Sequence, residues 1–486
     1  MMIPDIFFFN PTCESAIANG SPYYTPPARL RQFESDLGYL PAWLGEEKDL
    51  VLVQGEIDQV YIKKMRQLGF CLPEVVPLLQ ALSDDAWISS PKGWLRPWGR
   101  SPAMYHLFRN LIPNCNEAFR QSPVVNWKPE HKEMYSRMTA LELLEKLLKV
   151  HQHDWLPDPS GLPVICHSLE TVHQEIYRLI YPSPGSGIKS VIFSGSRQPL
   201  HKQLPYPQQL PLLQQLRLLR SFLQHDPDFP ISPFSNIQIS QSPNSPNSSK
   251  FSKAVVKMPW SSSGRGLLLF PNPDSAKKND EVLSGMLRQQ GFVTIEPWHD
   301  KIIDISYQFE ASAGKIIYKG RTFLENDPKG RYVRNYLTED IEIQQDVKLF
   351  LEAHESAVVA ILEESLSQSN YSTQYEGWIG VDAIIYRDEN SVLKFHPMLE
   401  INGRFTMGAI ALKMRNYLAE GSTGFLEIFY SKTGNFQSFC LKKELEKPLM
   451  MKDHKILSGF LPLTPPSPNH HFGAFVEVKP PLPNCS

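Results

Sequence analysis

Apolar positions along this chain fall into short blocks separated by polar punctuation, and the spacing inside each block predicts its element. DIFFFNPTCESAIANG (residues 5–20) has a continuous apolar run, a turn and then helical spacing. DLVLVQG (49–55) is a second run of the parallel-strand type, and the LRQFESDLGYLPAWL stretch between the two spaces its apolar residues as a helix does. Strand, helix, strand predicts an open α/β sheet at the start of the chain. EHKEMYSRMTALELLEKLLK (130–149) reads as one helix with Met134, Met138, Leu141, Leu144 and Leu148 on one face. LPVICHSLETVHQEIYRLI then gives a short strand and a helix capped by Ser168.

Residues 181–252 break the pattern. They are rich in Pro, Gln, Ser and Asn, end in SQSPNSPNSSKFS, and read as an insertion ending in a disordered linker, with one helix in LLQQLRLLRSFLQ. Regular patterning returns with KAVVKMPW and LLLF, and GFVTIEPW (291–298) predicts another strand. KIIDISYQFEASAGKIIYKGRTFLEN alternates with period two around Ala313–Gly314, which predicts a β-hairpin. VKLFLEAHESAVVAILEESL is an amphipathic helix, and GWIGVDAIIYRDENSVLKFHPMLEINGRFTMG is two strands joined by a polar turn. The proline-rich tail from 416 to 486 holds the runs GFLEIFY and FGAFVEV and reads as an addition packed on the core.

Composition changes this picture little. The 486 residues call for several domains, and 42% hydrophobic with 21% charged residues is ordinary for a globular protein. A formal charge of −2 gives no global field to recruit nucleic acid or an anionic membrane, so basic sites must be local. The six cysteines are scattered without a CxxC pair, which argues against a zinc site or disulfide framework. The N-terminal run has no basic lead and an early acid, so it reads as a first buried strand rather than a signal peptide. No run reaches the length of a membrane span. A cytoplasmic location is expected.

The candidate chemistry lies in two places. MLEINGRF puts Glu400, Asn402 and Arg404 at i, i+2 and i+4, which in a strand share one face. A carboxylate beside an amide oxygen suits a hard divalent cation, and an arginine there would meet anionic oxygens. Asp382 on the partner strand adds a carboxylate if the turn is centred near Ser391; a tight turn at 388–390 would leave it several residues away. The second place is KMPWSSSGRG, where Lys257 ends a buried run and is followed by a serine- and glycine-rich loop able to approach phosphates. No GxxxxGK[ST] is present, so this is not a P-loop. The plain alternatives are a half-exposed polar strand face and a lysine snorkelling from a strand end.

A lysine strand with a glycine-rich flap, an acidic linker, and then Asp on one strand and Glu-x-Asn on the next resembles the ATP-grasp superfamily, over roughly residues 136–415. The resemblance implies an α/β fold with two lobes clasping ATP, preceded by a pre-ATP-grasp domain. The domains would be 1–135 (pre-ATP-grasp), 136–180 with 253–295 (small lobe and flap), 181–252 (insertion), 296–415 (large lobe with the metal site) and 416–486 (C-terminal extension). It implies that Lys257 binds ATP phosphates and that Ser261, Ser262, Ser263, Gly264, Arg265 and Gly266 form the flap. Glu296 and Trp298 would lie at an adenine-reading hinge and Asp304 at the ribose. Asp382, Glu400 and Asn402 would hold Mg²⁺ or Mn²⁺, and Arg404 would contact the transferred phosphate or the acyl-phosphate. The family's other phosphate lysine has no match here, and Arg137 is the best substitute.

The implied activity is ATP-dependent ligation of a small-molecule carboxylate to an amine through an acyl-phosphate. A kinase that stops at phosphoryl transfer, and a nucleotide-binding sensor or scaffold, are the alternatives. No nucleic-acid or membrane partner is expected. Other features weigh less: His151, His153 and Asp154 as a metal site against a solvated loop, His470 and His471 as exposed tail residues, and Arg331 or Arg334 as an anion contact against a surface loop.

Overall fold

Four short parallel strands gather the first hundred residues: β1 (Ile6–Phe8), β2 (Leu50–Val53), β3 (Glu74–Pro77) and β4 (Leu95–Pro97), in the order β3-β2-β1-β4. The architecture comes from a computed structural model that describes residues 3–180, 253–261, 266–339 and 341–481. The insertion 181–252 with its expected helix, and Ser262, Ser263, Gly264 and Arg265 of the expected flap, lie outside the described residues.

The expected helix over 130–149 is two helices, Pro129–Met134 and Arg137–Val150. Ser136 caps the second, its hydroxyl accepting from the Met138 N–H at 3.2 Å. A serine at that point offers the backbone a better partner at a helix start than in a helix interior.

β5 (Val164–Cys166), β6 (Ala254–Lys257), β7 (Leu267–Phe270) and β8 (Val293–Pro297) form an antiparallel sheet in the order β5-β8-β6-β7. Helices Leu169–Ile180, Pro273–Lys277 and Asp280–Gln290 bury one of its faces, with Val256, Val293 and Ile295 in that core.

The remaining strands make one nine-stranded sheet, in the order Leu393–Asn402, Gly377–Arg387, Asp300–Ser312, Lys315–Asn326, Tyr332–Tyr336, Thr423–Tyr430, Phe472–Lys479, Lys455–Pro462 and Met450–Lys452. Its first half is β9 (Asp300–Ser312), β10 (Lys315–Asn326), β11 (Tyr332–Tyr336), β12 (Gly377–Arg387) and β13 (Leu393–Asn402). The β9–β10 hairpin turns at Ala313 and Gly314, both with positive φ, as an I′-type turn requires. Helix Gln345–Ser367 packs on the back of these strands, where Val358 and Leu362 share a core with Ile305, Tyr307, Val381 and Phe395.

Residues 416–486 differ from the expected addition. They supply β14 (Thr423–Tyr430), β15 (Met450–Lys452), β16 (Lys455–Pro462) and β17 (Phe472–Lys479), and β14 pairs directly with β11. The apolar runs that looked like a packed extra are strands continuing the sheet. No helix among the described residues is long and apolar enough to cross a membrane.

Candidate functional site

The front face of β9, β12 and β13 is set by register. Gln308, Gly380 and Asn402 form one row; Ser306, Asp382 and Glu400 the next; Asp304, Ile384 and His396 the third. The back-face residues are apolar and covered by helix Gln345–Ser367, so every polar residue in these rows faces the opposite side.

The pairing Asp382↔Glu400 has an unexpected origin. The turn is tight: Arg387 pairs with Leu393 and Asp388 accepts from the Ser391 N–H, which centres it on Asn390. Continued straight, that register would put Asp382 opposite Met398. Between Ile384↔His396 and Asp382↔Glu400, however, β12 holds one residue and β13 holds three, Pro397, Met398 and Leu399. This bulge delivers Glu400. A proline inside an edge strand cannot complete the ladder, which is where bulges form.

The acids are tightly held. Asp382 accepts from the Ser306 hydroxyl at 2.7 Å and from the Asn402 amide at 3.1 Å. Gln308 donates to Ser306 at 2.9 Å, and Thr406 donates to Gln308 at 2.8 Å. Burial, and then the facing Glu400 carboxylate, push the Asp382 pKa up to about 6. Two half-buried carboxylates facing each other in one row are a hard-oxygen donor set whose repulsion a cation would relieve. Asn402 turns its N–H₂ to Asp382 and its Oδ1 to Arg404, which donates at 3.0 Å. Among the described residues no group of three or more His, Cys, Asp or Glu side chains is placed to hold a metal ion. The two carboxylates thus fit a cation that is shared with ligand oxygens, the usual situation for Mg²⁺.

Arg404 lies beyond the strand. β13 ends at Asn402, and the Arg404 N–H returns to the Asn402 carbonyl at 2.8 Å. Its place is fixed by an isolated bridge to Gly99 and by an ion pair with Glu14. Burial raises the Glu14 pKa, but the Arg404 charge and hydrogen bond outweigh it and hold the carboxyl below its usual value.

Across from this face stands the small sheet. Lys257 pairs with Thr294, and Val255 with Glu296, so Lys257, Thr294 and Glu296 share its uncovered face. Lys257 and Glu296 form an ion pair, 7% and 8% exposed. Arg137, at the start of its helix, bridges the two sides. Its Nε donates to Met258 O at 3.0 Å, and its NH2 lies 3.2 Å from Glu400 Oε1 and 3.5 Å from Ser261 Oγ. A small pocket, with room for about one water, is lined by Arg137, Leu141 and Leu144, by Thr294 and Glu296, and by His396 and Leu399.

The other expected residues are more scattered. Gly266, at φ +75°, accepts from the Met258 N–H at 3.0 Å and closes the root of the loop. The Trp298 N–H is committed to Lys253 O at 2.9 Å, so it is not open to a ligand. Asp304 accepts from Lys301 at 2.6 Å; burial raises its pKa and Lys301 opposes. Arg331 pairs with Asp327, and Arg334 with Glu325 and Glu427. His153 stacks on Trp155, with His151 on one side and His354 on the other.

Sequence reasoning passed over Glu14, Ser306, Gln308, Thr294 and His396 as site residues. The alternation in DISYQF could have found Ser306 and Gln308. Nothing local marks Glu14 as a partner of a residue 390 positions away.

No protein-family model matches the chain, and no curated protein does. Among solved structures it is similar to N5-carboxyaminoimidazole synthetase from Staphylococcus aureus complexed with ADP, at a TM-score of 0.43 and 9% identity over 99% of this chain and 94% of that one. It is similar to the biotin carboxylase domain of the 2-oxoglutarate carboxylase of Hydrogenobacter thermophilus, complexed with MgADP, ADP and bicarbonate, at 0.43 and 9% over 99% and 87%. The N5-carboxyaminoimidazole synthase of Aspergillus clavatus, with ADP and its aminoimidazole ribonucleotide, gives 0.43 and 8% over 89% and 93%.

Proposed function

We propose that this chain is an ATP-dependent ligase of ATP-grasp type, which activates a carboxylate as an acyl-phosphate for attack by an amine. One observation carries the reading: Asp382 and Glu400 face each other beside Asn402 on the large sheet, and Arg137 reaches from Glu400, at 3.2 Å, to the Met258 carbonyl, at 3.0 Å, just past Lys257 on the small sheet. Phosphoryl transfer needs charge neutralisation more than covalent help from the protein. Lys257 and Arg137 take the ATP phosphates, and Arg404 meets the group in transfer. Glu296 and Trp298 would flank the base and Asp304 would lie toward the ribose. Asp382 and Glu400 would hold Mg²⁺, whose charge would offset that of the phosphates; Asn402, expected as a third ligand, gives its oxygen to Arg404 instead.

The substrate carboxylate oxygen attacks the γ-phosphorus and ADP leaves. The amine nitrogen then attacks the acyl carbon, loses a proton, and phosphate leaves. Keeping water from the acyl-phosphate is the service a closed cleft performs.

The test is thermal stability with ATP, with and without Mg²⁺, for the native protein and for Glu400→Ala/Asn402→Ala. A site filled at a hundredfold excess over Kd gains about 2.7 kcal/mol. Stabilisation that needs Mg²⁺ and is lost in the double variant is expected, and acids and amines can then be screened by ADP release. No shift at millimolar ATP would sink the proposal.

A further inference from the structure

Arg404 is held more elaborately than a fold contact requires. Its Nε pairs with Glu14, its NH1 donates to the Phe405 carbonyl at 3.0 Å, and its NH2 donates to Asn402 Oδ1 at 3.0 Å. Glu14 is the second residue of helix Cys13–Asn19 and is 6% exposed. Its other oxygen accepts from the Cys13 thiol at 3.3 Å.

The backbone around the pair is already fastened without it. Asn10 exchanges two hydrogen bonds with Gly99, Gly99 bridges to Arg404, and the Phe405 N–H donates to the Trp98 carbonyl at 2.9 Å. A Cβ at Gly99 would lie 2.2 Å from Cys13 Sγ and 3.4 Å from the Arg404 Cβ, so these three segments touch. The junction therefore has its own glue, and the carboxylate does something else. A guanidinium carries five N–H donors in a rigid plane. The bonds above use three of them and fix that plane, leaving one N–H on NH1 and one on NH2.

We propose that Glu14 is a positioning residue for Arg404: it fixes the guanidinium plane so that the two remaining N–H groups are presented to the phosphoryl group in transfer. The proposal rests on the ligase reading, in which Arg404 meets that group. It assigns to the N-terminal sheet a part in discriminating ATP from ADP. A neutral residue at position 14 would leave Arg404 buried without its counter-charge, free to turn toward whatever oxygen is nearest.

Affinities for MgATP and MgADP, measured by titration calorimetry, test this in the native protein and in Glu14→Gln, Glu14→Asp, Arg404→Gln and the double Glu14→Gln/Arg404→Gln variant. Glu14→Gln is expected to keep ADP affinity within about twofold and to lose about tenfold for ATP. Arg404→Gln should lose a similar factor, the double variant no more than either, and Glu14→Asp should recover part of the ATP preference. Equal losses for ATP and ADP in Glu14→Gln, or losses that multiply in the double variant, would show that Glu14 only fastens the junction. Where Glu14→Gln no longer unfolds cooperatively in urea, Glu14→Asp decides: an unchanged ATP-to-ADP ratio overturns the role. A native protein that binds neither nucleotide overturns the ligase reading and this role with it. Normal native binding with an unchanged Glu14→Gln ratio overturns the positioning role alone.

Discussion

His299 shows what this site does to single side chains. It follows the last strand residue of the small sheet by two positions, its ring 4.1 Å from that of Tyr386 and 5.8 Å from that of His396. Burial lowers its pKa from 6.5 to about 4; Glu296 opposes the shift and Lys257 adds to it. His396 is likewise lowered, by burial first and then by His299 and Lys257. Both imidazoles are neutral at pH 7, which suits a site that must take a base rather than another charge. The sign for stability follows. Between pH 6.5 and 4 the unfolded chain binds a proton at His299 that the folded chain refuses, so stability is full above 6.5 and is lost as pH falls toward 4. Asp382, with its raised pKa, acts in the opposite direction over much of this range, so the native profile alone cannot isolate the histidine. The difference between native protein and His299→Asn can. In urea unfolding at stepped pH, the native protein should lose up to about 1.4 kcal/mol per pH unit relative to the variant across that window. A constant difference would mean that His299 takes its proton freely in the fold.

Elements explain which parts of the site could be read in advance. Hairpins and buried strands were legible because period-two alternation and turn residues are local signals, as around Ala313–Gly314. The grouping of Asp382 with Glu400 was only half legible. The turn sits at Asn390, where the sequence alone predicts a mismatch, and the Pro397 bulge, beyond the fourth pair of the ladder, corrects it. A proline in a strand signals a bulge, but not how many residues it absorbs. Arg404 was assigned to the strand face by counting in twos, although the strand stops two residues earlier and the Gly99 bridge sets its direction. Long-range contacts of this kind leave no trace in local spacing. The break at Tyr135–Ser136 was legible and missed, since a serine ahead of an apolar run is a start signal. It matters because Arg137 follows it directly, so the cap fixes where that guanidinium leaves the helix. Ser136→Ala should cost about 1 kcal/mol in urea unfolding, the usual effect of losing a cap. An effect near zero would mean that packing of Leu144 and Leu147 alone sets the helix start.

At the scale of the whole molecule, the two ends of the chain build one core. Phe7 and Val51 from the N-terminal sheet, and Trp43 from the turn of helix between β1 and β2, share a hydrophobic cluster with Leu426, Ile456, Leu461 and Val476 from the last seventy residues. Polar contacts follow the same path. The Trp43 indole donates to the Leu463 carbonyl at 2.8 Å, and Asp36, 1% exposed, accepts from the backbone N–H groups of His471 and Phe472 at 2.8 and 3.0 Å. A buried carboxylate stripped of its donors is among the costlier defects a fold can carry. Removing the tail would also bare β11 as an open edge, an invitation to pairing between molecules. A chain ending at Arg415 is therefore expected to aggregate or to show no cooperative unfolding, even though every residue proposed to handle ATP precedes that point. Size-exclusion chromatography and urea unfolding of the 1–415 fragment beside the full chain check this. A monomeric fragment with a cooperative transition would show that the tail is an addition after all. Because Glu14 lies in the helix that follows β1 of the N-terminal sheet the tail packs on, the expected failure would reach the site from its far side: the tail stabilises β1, β1 leads into the helix of Glu14, and Glu14 holds Arg404.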